Sequence, residues 1–199
     1  MHLVGDYWLE AVNEGVRQGY QDGYLRKSIL NDPIHRVNTK DNTPVVVHVE
    51  MVPGDRLKLI VAPKGGGSEN MIRAKMLKPS EGVEGIKRLV LETVSEAGTN
   101  PCPPIVLGVG IGGTFEKCAL ISKQALLRPL GSSHPDPDIA AMEKDLRQAV
   151  NDLGVGHMGM GGRVTALAVH VETFACHIAS LPVALSINCH AHRHQERIL

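Results

Sequence analysis

Aromatic side chains are nearly missing from this chain: one Trp, three Tyr and two Phe make up 3% of 199 residues. The core must therefore be aliphatic, with little help from ring packing. Surplus charge is also missing. Twenty-one Lys and Arg balance 21 Asp and Glu, which leaves no electrostatic footprint for nucleic acid or an anionic membrane surface. No apolar run is long enough to span a bilayer, and none reads as a signal peptide. Four cysteines at irregular spacing do not make a secreted disulfide framework, so the expected compartment is the cytoplasm. What is plentiful is glycine, 21 residues, which implies tight turns and loops whose backbone can approach a ligand. The length suffices for one large domain or two small ones.

The chain opens abruptly at Met1-His2-Leu3-Val4, with apolar periodicity only a few residues on, and reads as a trimmed piece of something longer. Trp8, Val12, Val16, Tyr20 and Tyr24 recur every fourth position, predicting an amphipathic helix over 8–25 with Asp6 as its N-cap. Pro33 and Asn38 to Thr43 predict a loop. Val45 to Val52 and Leu57 to Ala62 flank Pro53-Gly54-Asp55 and predict a hairpin. A glycine loop, Pro63 to Asn70, follows. Ser80 and Gly98 bracket a helix with Val83, Ile86, Val90 and Val94 on one face. Ile105 to Ile111 reads as a buried strand leading into a helix over 114–128. Asp136-Pro137 opens another helix, whose Ile139, Met142, Leu146, Val150 and Leu153 face inward until Gly154 stops it. Strands are expected within 163–174 and 182–188.

Several motifs could carry chemistry, and each has a plainer explanation. Gly108-Val109-Gly110-Ile111-Gly112-Gly113 spells a dinucleotide fingerprint. It lacks the acidic residue about twenty positions on that such a site uses, so glycines serving a strand-to-helix turn explain it better. Cys189, His190, His192 and His194 could ligate zinc. Alternate histidines close one tetrahedral site poorly, however, and the favoured reading has them at the surface beside a site. Cys118 and Cys176 are expected to be small buried hydrophobes. Cys102 differs, because Pro101 and Pro103 stiffen the backbone around it and suit a thiolate held at a loop. Cys189 ends an apolar run where a polar tail begins, and it too is read as a ligand. Taken singly, His177 reads as structural and Arg26 as a solvated helix-end cation.

Taken jointly, five blocks carry a resemblance. Leu25-Arg26-Lys27-Ser28, Asn38-Thr39-Lys40-Asp41-Asn42, Pro63-Lys64-Gly65-Gly66-Gly67-Ser68-Glu69-Asn70, Asn100-Pro101-Cys102-Pro103-Pro104 with Gly108 to Glu116, and Ser186 to His194 occur in this order across nearly the whole chain. Together they resemble the alpha subunit of class I, iron-sulfur fumarate hydratase and of the similar L-tartrate dehydratase. The resemblance implies one alpha-type catalytic domain over 1–199, lacking its N-terminal segment, of fold class α+β: mixed sheet elements packed by helices, with cluster-binding loops at one edge. It implies reversible hydration of fumarate to L-malate, a tricarboxylic acid cycle step, at a 4Fe-4S cluster whose open iron acts as Lewis acid. Cys102 and Cys189 match two cluster ligands. The third belongs to a Cys-Gln-Asp-Thr-Gly segment that this sequence does not contain. Arg26 matches an arginine that pairs with a substrate carboxylate, Gly66 or Gly67 a glycine at the substrate, and His177 a histidine in proton transfer near the cluster. The implied partner is a separate beta subunit supplying the base. This chain alone is expected to hold no intact cluster, to be inactive and to be able to form a homodimer. The competing expectations are an L-tartrate dehydratase alpha subunit and a non-catalytic module binding a carboxylate or nucleotide.

Overall fold

The strand β5 (Ile105–Gly112) is buried over nearly its whole length because it has a neighbour on both edges and helices on both faces. The computed structural model describes residues 7–199; Asp6, the expected cap of the first helix, lies outside them. In chain order the elements are α1 (Tyr7–Asp22), β1 (Leu30–Asp32), β2 (Val37–Asn38), β3 (Lys58–Val61), α2 (Gly66–Glu69), β4 (Arg73–Leu77), α3 (Gly82–Ala97), β5, α4 (Phe115–Ala125), α5 (Pro137–Asp152), β6 (Ala166–Phe174), β7 (Leu181–Asn188) and β8 (Gln195–Ile198). The class is α+β, as the sequence predicts. Two compact units form: the described residues up to Leu59 with Arg197–Leu199, and Ile60–Glu196.

The second unit is built on a four-stranded sheet in the order β4-β7-β5-β6. β5 runs parallel to β6 and antiparallel to β7, which is antiparallel to β4. Isoleucine, valine and leucine from β5, β6 and β7 form the main core with Ile86, Leu89, Val90 and Val94 of α3 and Leu146 and Val150 of α5. Spacing alone puts Val83 on that inner face, but it is more than half exposed, and Leu89 is buried instead. α5 starts as expected: the Asp136 carboxylate accepts from the Asp138 amide at 2.9 Å, and Pro137 occupies the first turn, where its missing N–H costs nothing.

α4 lies on the sheet so closely that β5 must be glycine where they touch. A Cβ on Gly108 would stand 2.1 Å from the Ser122 carbonyl oxygen, and one on Gly110 would stand 2.1 Å from that of Cys118. The dinucleotide-like spelling is thus explained by helix-to-strand packing. Cys118 is fully buried under this contact, as expected. Cys176 is not: it is exposed in the β6–β7 connection, beyond the reach of the core.

In the first unit α1 ends at Asp22, three residues before its expected end, and Tyr24 follows with a φ of 51°. Trp8, Val12, Val16 and Tyr20 are half-buried and Tyr24 is fully out. The loop expected around Pro33 is the turn of a small antiparallel hairpin, β1–β2. The hairpin expected over 45–62 does not form. Val46, Val49, Met51 and Val52 are exposed and outside any strand, and β3 pairs with β8. The β-branched run supplied the strand signal without a buried face to use it.

Candidate functional site

Cys102 and Cys189 come together at one end of the four-stranded sheet, because β5 begins just after the first and β7, antiparallel to it, ends just before the second. Both thiols are half-buried. Cys102 adopts a left-handed φ of 55°, which costs a residue with a Cβ about 1 kcal/mol. Its surroundings hold that conformation. The Cys102 amide donates to the Thr99 carbonyl at 2.9 Å, and the next carbonyl, of Pro103, accepts from the Met158 amide at 2.8 Å. The Cys102 carbonyl accepts from His190 twice, from its ring Nδ1 at 3.0 Å and its amide at 3.4 Å.

The glycine loop packs against the same turn. A Cβ on Gly67 would lie 2.7 Å from the Asn100 carbonyl oxygen, whereas one on Gly66 would meet nothing within 4 Å. Both glycines are exposed. The two positions are therefore distinct: glycine at 67 lets the loops approach, and glycine at 66 leaves open space. From the same loop Lys64 and Glu69 form an ion pair of 2.7 Å, whose angles fall short of a directed hydrogen bond. Glu69 also accepts from Lys123, at the end of α4, at 2.6 Å. Burial drags the Lys64 ammonium below its ordinary range, while Glu69 opposes that and the thiol of Cys189 lies near enough to act on it. Burial likewise pushes Glu69 up, but the Lys123 hydrogen bond and the Lys64 ion pair outweigh it and hold the carboxyl below its ordinary range. Lys64, at one end of this Lys64–Glu69–Lys123 triad, thus lies near Cys189. Nothing in the local sequence of Lys64 and Glu69 shows that the distant Lys123 closes the triad.

His177 lies elsewhere. It precedes β7 where Cys189 follows it, so the eight residues of that strand, about 25 Å of chain, stand between them. His177 is exposed, its Nδ1 accepts from the Ala179 amide at 3.1 Å, and it lines an open hollow of about 500 Å³ with Thr114, Phe115, Lys117 and Phe174. The expected place beside the cysteines is not where the antiparallel strand puts it. The tail histidines turn to separate partners. His190 turns to Cys102, His192 shares a 2.7 Å hydrogen bond with Asn188, and among the described residues no three His, Cys, Asp or Glu side chains gather as a metal site requires.

Arg26 belongs to the first unit, exposed in the extended stretch between α1 and β1. The block Asn38 to Asn42 fixes the chain beside it. Asn42 Oδ1 accepts from the amides of Ser28 and Ile29, at 2.8 and 3.2 Å, and Asn38 donates to the Lys27 carbonyl at 3.2 Å. Asp41, held well below the ordinary carboxylate range by the Thr43 amide and by Arg17, ties that block back to α1 through Arg17 at 3.0 Å. Two blocks far apart in sequence form one support.

The profile of the family described as Fumarate hydratase (Fumerase) matches residues 1–198. The chain belongs to the fumarate hydratase family. A Methanocaldococcus jannaschii protein provisionally named L(+)-tartrate dehydratase subunit alpha is 47% identical over 190 residues, covering 93% of this chain and 66% of its own. The L(+)-tartrate dehydratase subunits alpha of Escherichia coli K12 and O157:H7 are 40% and 36% identical over 185 residues, covering 89% of this chain and 61% of theirs. The chain thus spans under two thirds of these relatives. Fumarate hydratases and tartrate dehydratases are hydro-lyases, and the relatives' names mark them as one subunit of several. Among the described residues no helix is long and apolar enough to cross a membrane.

Proposed function

We propose that this chain is the cluster-bearing part of the alpha subunit of an iron-sulfur fumarate hydratase, one alpha-type catalytic domain over 1–199, acting in the cytoplasm with a separate beta subunit. The observation that carries the reading is the convergence of the two proline- and histidine-flanked cysteine segments at one sheet end in a chain of this family. Cys102 and Cys189 would hold the cluster. A third donor is not found among the other cysteines, since Cys118 is sealed beneath α4 and Cys176 lies beyond the opposite end of β7. When bound, a 4Fe-4S cluster with one open iron supplies Lewis-acid activation of a hydroxyl and carboxylate.

The chain's own residues have definable parts. Arg26, with its backbone anchored through Asn42 and Asn38, offers a planar donor to a substrate carboxylate. Gly66 leaves backbone accessible where Gly67 cannot yield. The Lys64–Glu69–Lys123 triad holds the Lys64 ammonium in place near Cys189. Within this one chain His177 stands at the other end of β7 from the cysteines, where it lines the open hollow.

The relatives' names favour a second reading, dehydration of L-tartrate. Anaerobic assembly of this chain, joined to a Cys-Gln-Asp-Thr-Gly segment, with a beta subunit decides both. The expected product is a brown complex hydrating fumarate faster than it dehydrates L-tartrate. The reverse order of rates establishes the tartrate reading, and a colourless, inactive complex refutes the iron-sulfur reading. Tested alone, the chain is expected to retain less than a full complement of iron and sulfide and to show no turnover.

A further inference from the structure

The two cysteine segments are joined by His190. Its imidazole Nδ1 and its backbone amide both reach the Cys102 carbonyl, at 3.0 and 3.4 Å. Because that acceptor is a carbonyl, Nδ1 carries the proton of the contact, and in the neutral ring Nε2 then keeps its lone pair. The next residue back is Cys189 itself, so the contact sets how far the Cys189 backbone stands from that of Cys102. It also closes a frame around a strained residue: the Cys102 amide is taken by Thr99, the Pro103 carbonyl by Met158, and the Cys102 carbonyl only by His190 among the contacts described. A loop held at φ 55° needs such anchors, since without them it relaxes toward ordinary backbone and takes its thiol with it.

We propose that His190 is the positioning residue of the thiol pair: its ring N–H registers the Cys102 loop against Cys189 before any metal arrives, and it is not itself a ligand. The proposal rests on the assignment of Cys102 and Cys189 as ligands and adds how a chain that brings them together across the fold keeps them in register. A positioning donor and a metal ligand make different demands. Asparagine can place an amide N–H near the position of imidazole Nδ1, yet it offers nothing like the Nε2 lone pair on the far side of the ring.

The test uses this chain in a Cys176→Ser background, which removes the exposed competing thiol, with Cd2+ alone as the probe and thiolate-to-metal absorption as the readout under anaerobic conditions. Cys102→Ser and Cys189→Ser should each abolish the absorption. His190→Ala should weaken Cd2+ binding about tenfold, the worth of one well-placed hydrogen bond. His190→Asn should restore it to within about twofold of the parent. Thermal melts check that each variant is folded, and His190→Phe, which keeps the ring and loses the donor, stands in if the alanine variant unfolds. Unchanged Cd2+ affinity in a folded His190→Ala or His190→Phe overturns the proposal while leaving the cysteine pair intact. Equal weakness of the alanine and asparagine variants overturns it too, because it makes the ring a ligand. Absorption that survives removal of either cysteine overturns the thiol pair and this proposal with it.

Discussion

Neighbouring glycines in Gly65-Gly66-Gly67 look interchangeable in sequence, and the fold separates them by what each Cβ would meet. Gly67→Ala must push against the Asn100 carbonyl, a backbone atom that cannot swing aside. The expected cost is about 1–3 kcal/mol, read as a lower thermal midpoint, whereas Gly66→Ala should leave the midpoint unchanged and affect only substrate use by the assembled enzyme. Equal midpoints for the two variants would contradict this. His170 makes a second case. It is buried within β6 with Nδ1 unpartnered, and burial, followed by the Arg128 charge, pushes the imidazole below its ordinary 6.5. Near pH 6 the unfolded chain takes up a proton that the folded chain refuses. Stability from this group is therefore complete above 6.5 and declines as pH falls through the window beneath it. The melting midpoint should drop between pH 7.5 and pH 5.5, and His170→Leu should flatten that drop; equal slopes in parent and variant would remove His170 as its source. Neither role was legible in the sequence, because one depends on a carbonyl 33 positions away and the other on burial and the distant charge of Arg128.

Elements with a local signature were legible and elements defined by distant partners were not. Asp136-Pro137 announces α5 because a cap and a first-turn proline act within four residues. The apolar stripes of α3 and α5 announce their inner faces in the same way, apart from Val83 and Leu153, which are exposed. By contrast, nothing near Lys58 to Val61 says that its ladder partner is Gln195 to Ile198, so a turn signal at Pro53-Gly54 invited the wrong hairpin. The place of His177 has the same origin: the resemblance carries a role, but only the direction of β7 tells which end of the sheet carries the residue. The convergence of the Cys102 and Cys189 segments follows from strand direction too. Strand β5 supplies the test at this scale. Gly110→Val would force a branched side chain into a space already filled by the Cys118 carbonyl, the Ser122 amide and Ile121. It should lift α4 from the sheet at a cost above about 3 kcal/mol, seen as loss of a cooperative melt. It should also expose Cys118 to thiol reagents that do not reach it in the parent. A cooperative melt with Cys118 still protected would mean that α4 is not packed as described.

Across the whole molecule the buried residues are divided unequally. Among the described residues of the first unit, Asn13 and Thr43 are the buried ones, and both are polar. The second unit holds the entire aliphatic core. The first unit is instead held by side-chain to backbone hydrogen bonds: Asn13 to the Val45 amide, Asn42 to Ser28 and Ile29, and Asp41 to Thr43 with Arg17 behind it. Each such bond is worth about 1 kcal/mol net, and breaking one requires no cavity or apolar exposure. Local opening of this unit should therefore cost much less than global unfolding, while amides of β5 and β7 exchange only through the global event. Hydrogen exchange on the intact chain should show residues 7–57 exchanging orders of magnitude faster than 105–112 and 181–188. Limited proteolysis should cut first in the exposed stretch 45–57, leaving a resistant product that retains 60–196. Asn42→Ala tests the mechanism: it should speed exchange around Ser28 and Ile29 without changing β5. Uniform protection across both units would show that the small unit shares the stability of the core. Arg26 rides on the segment predicted to open first, so the same experiment measures how firmly the proposed substrate arginine is held.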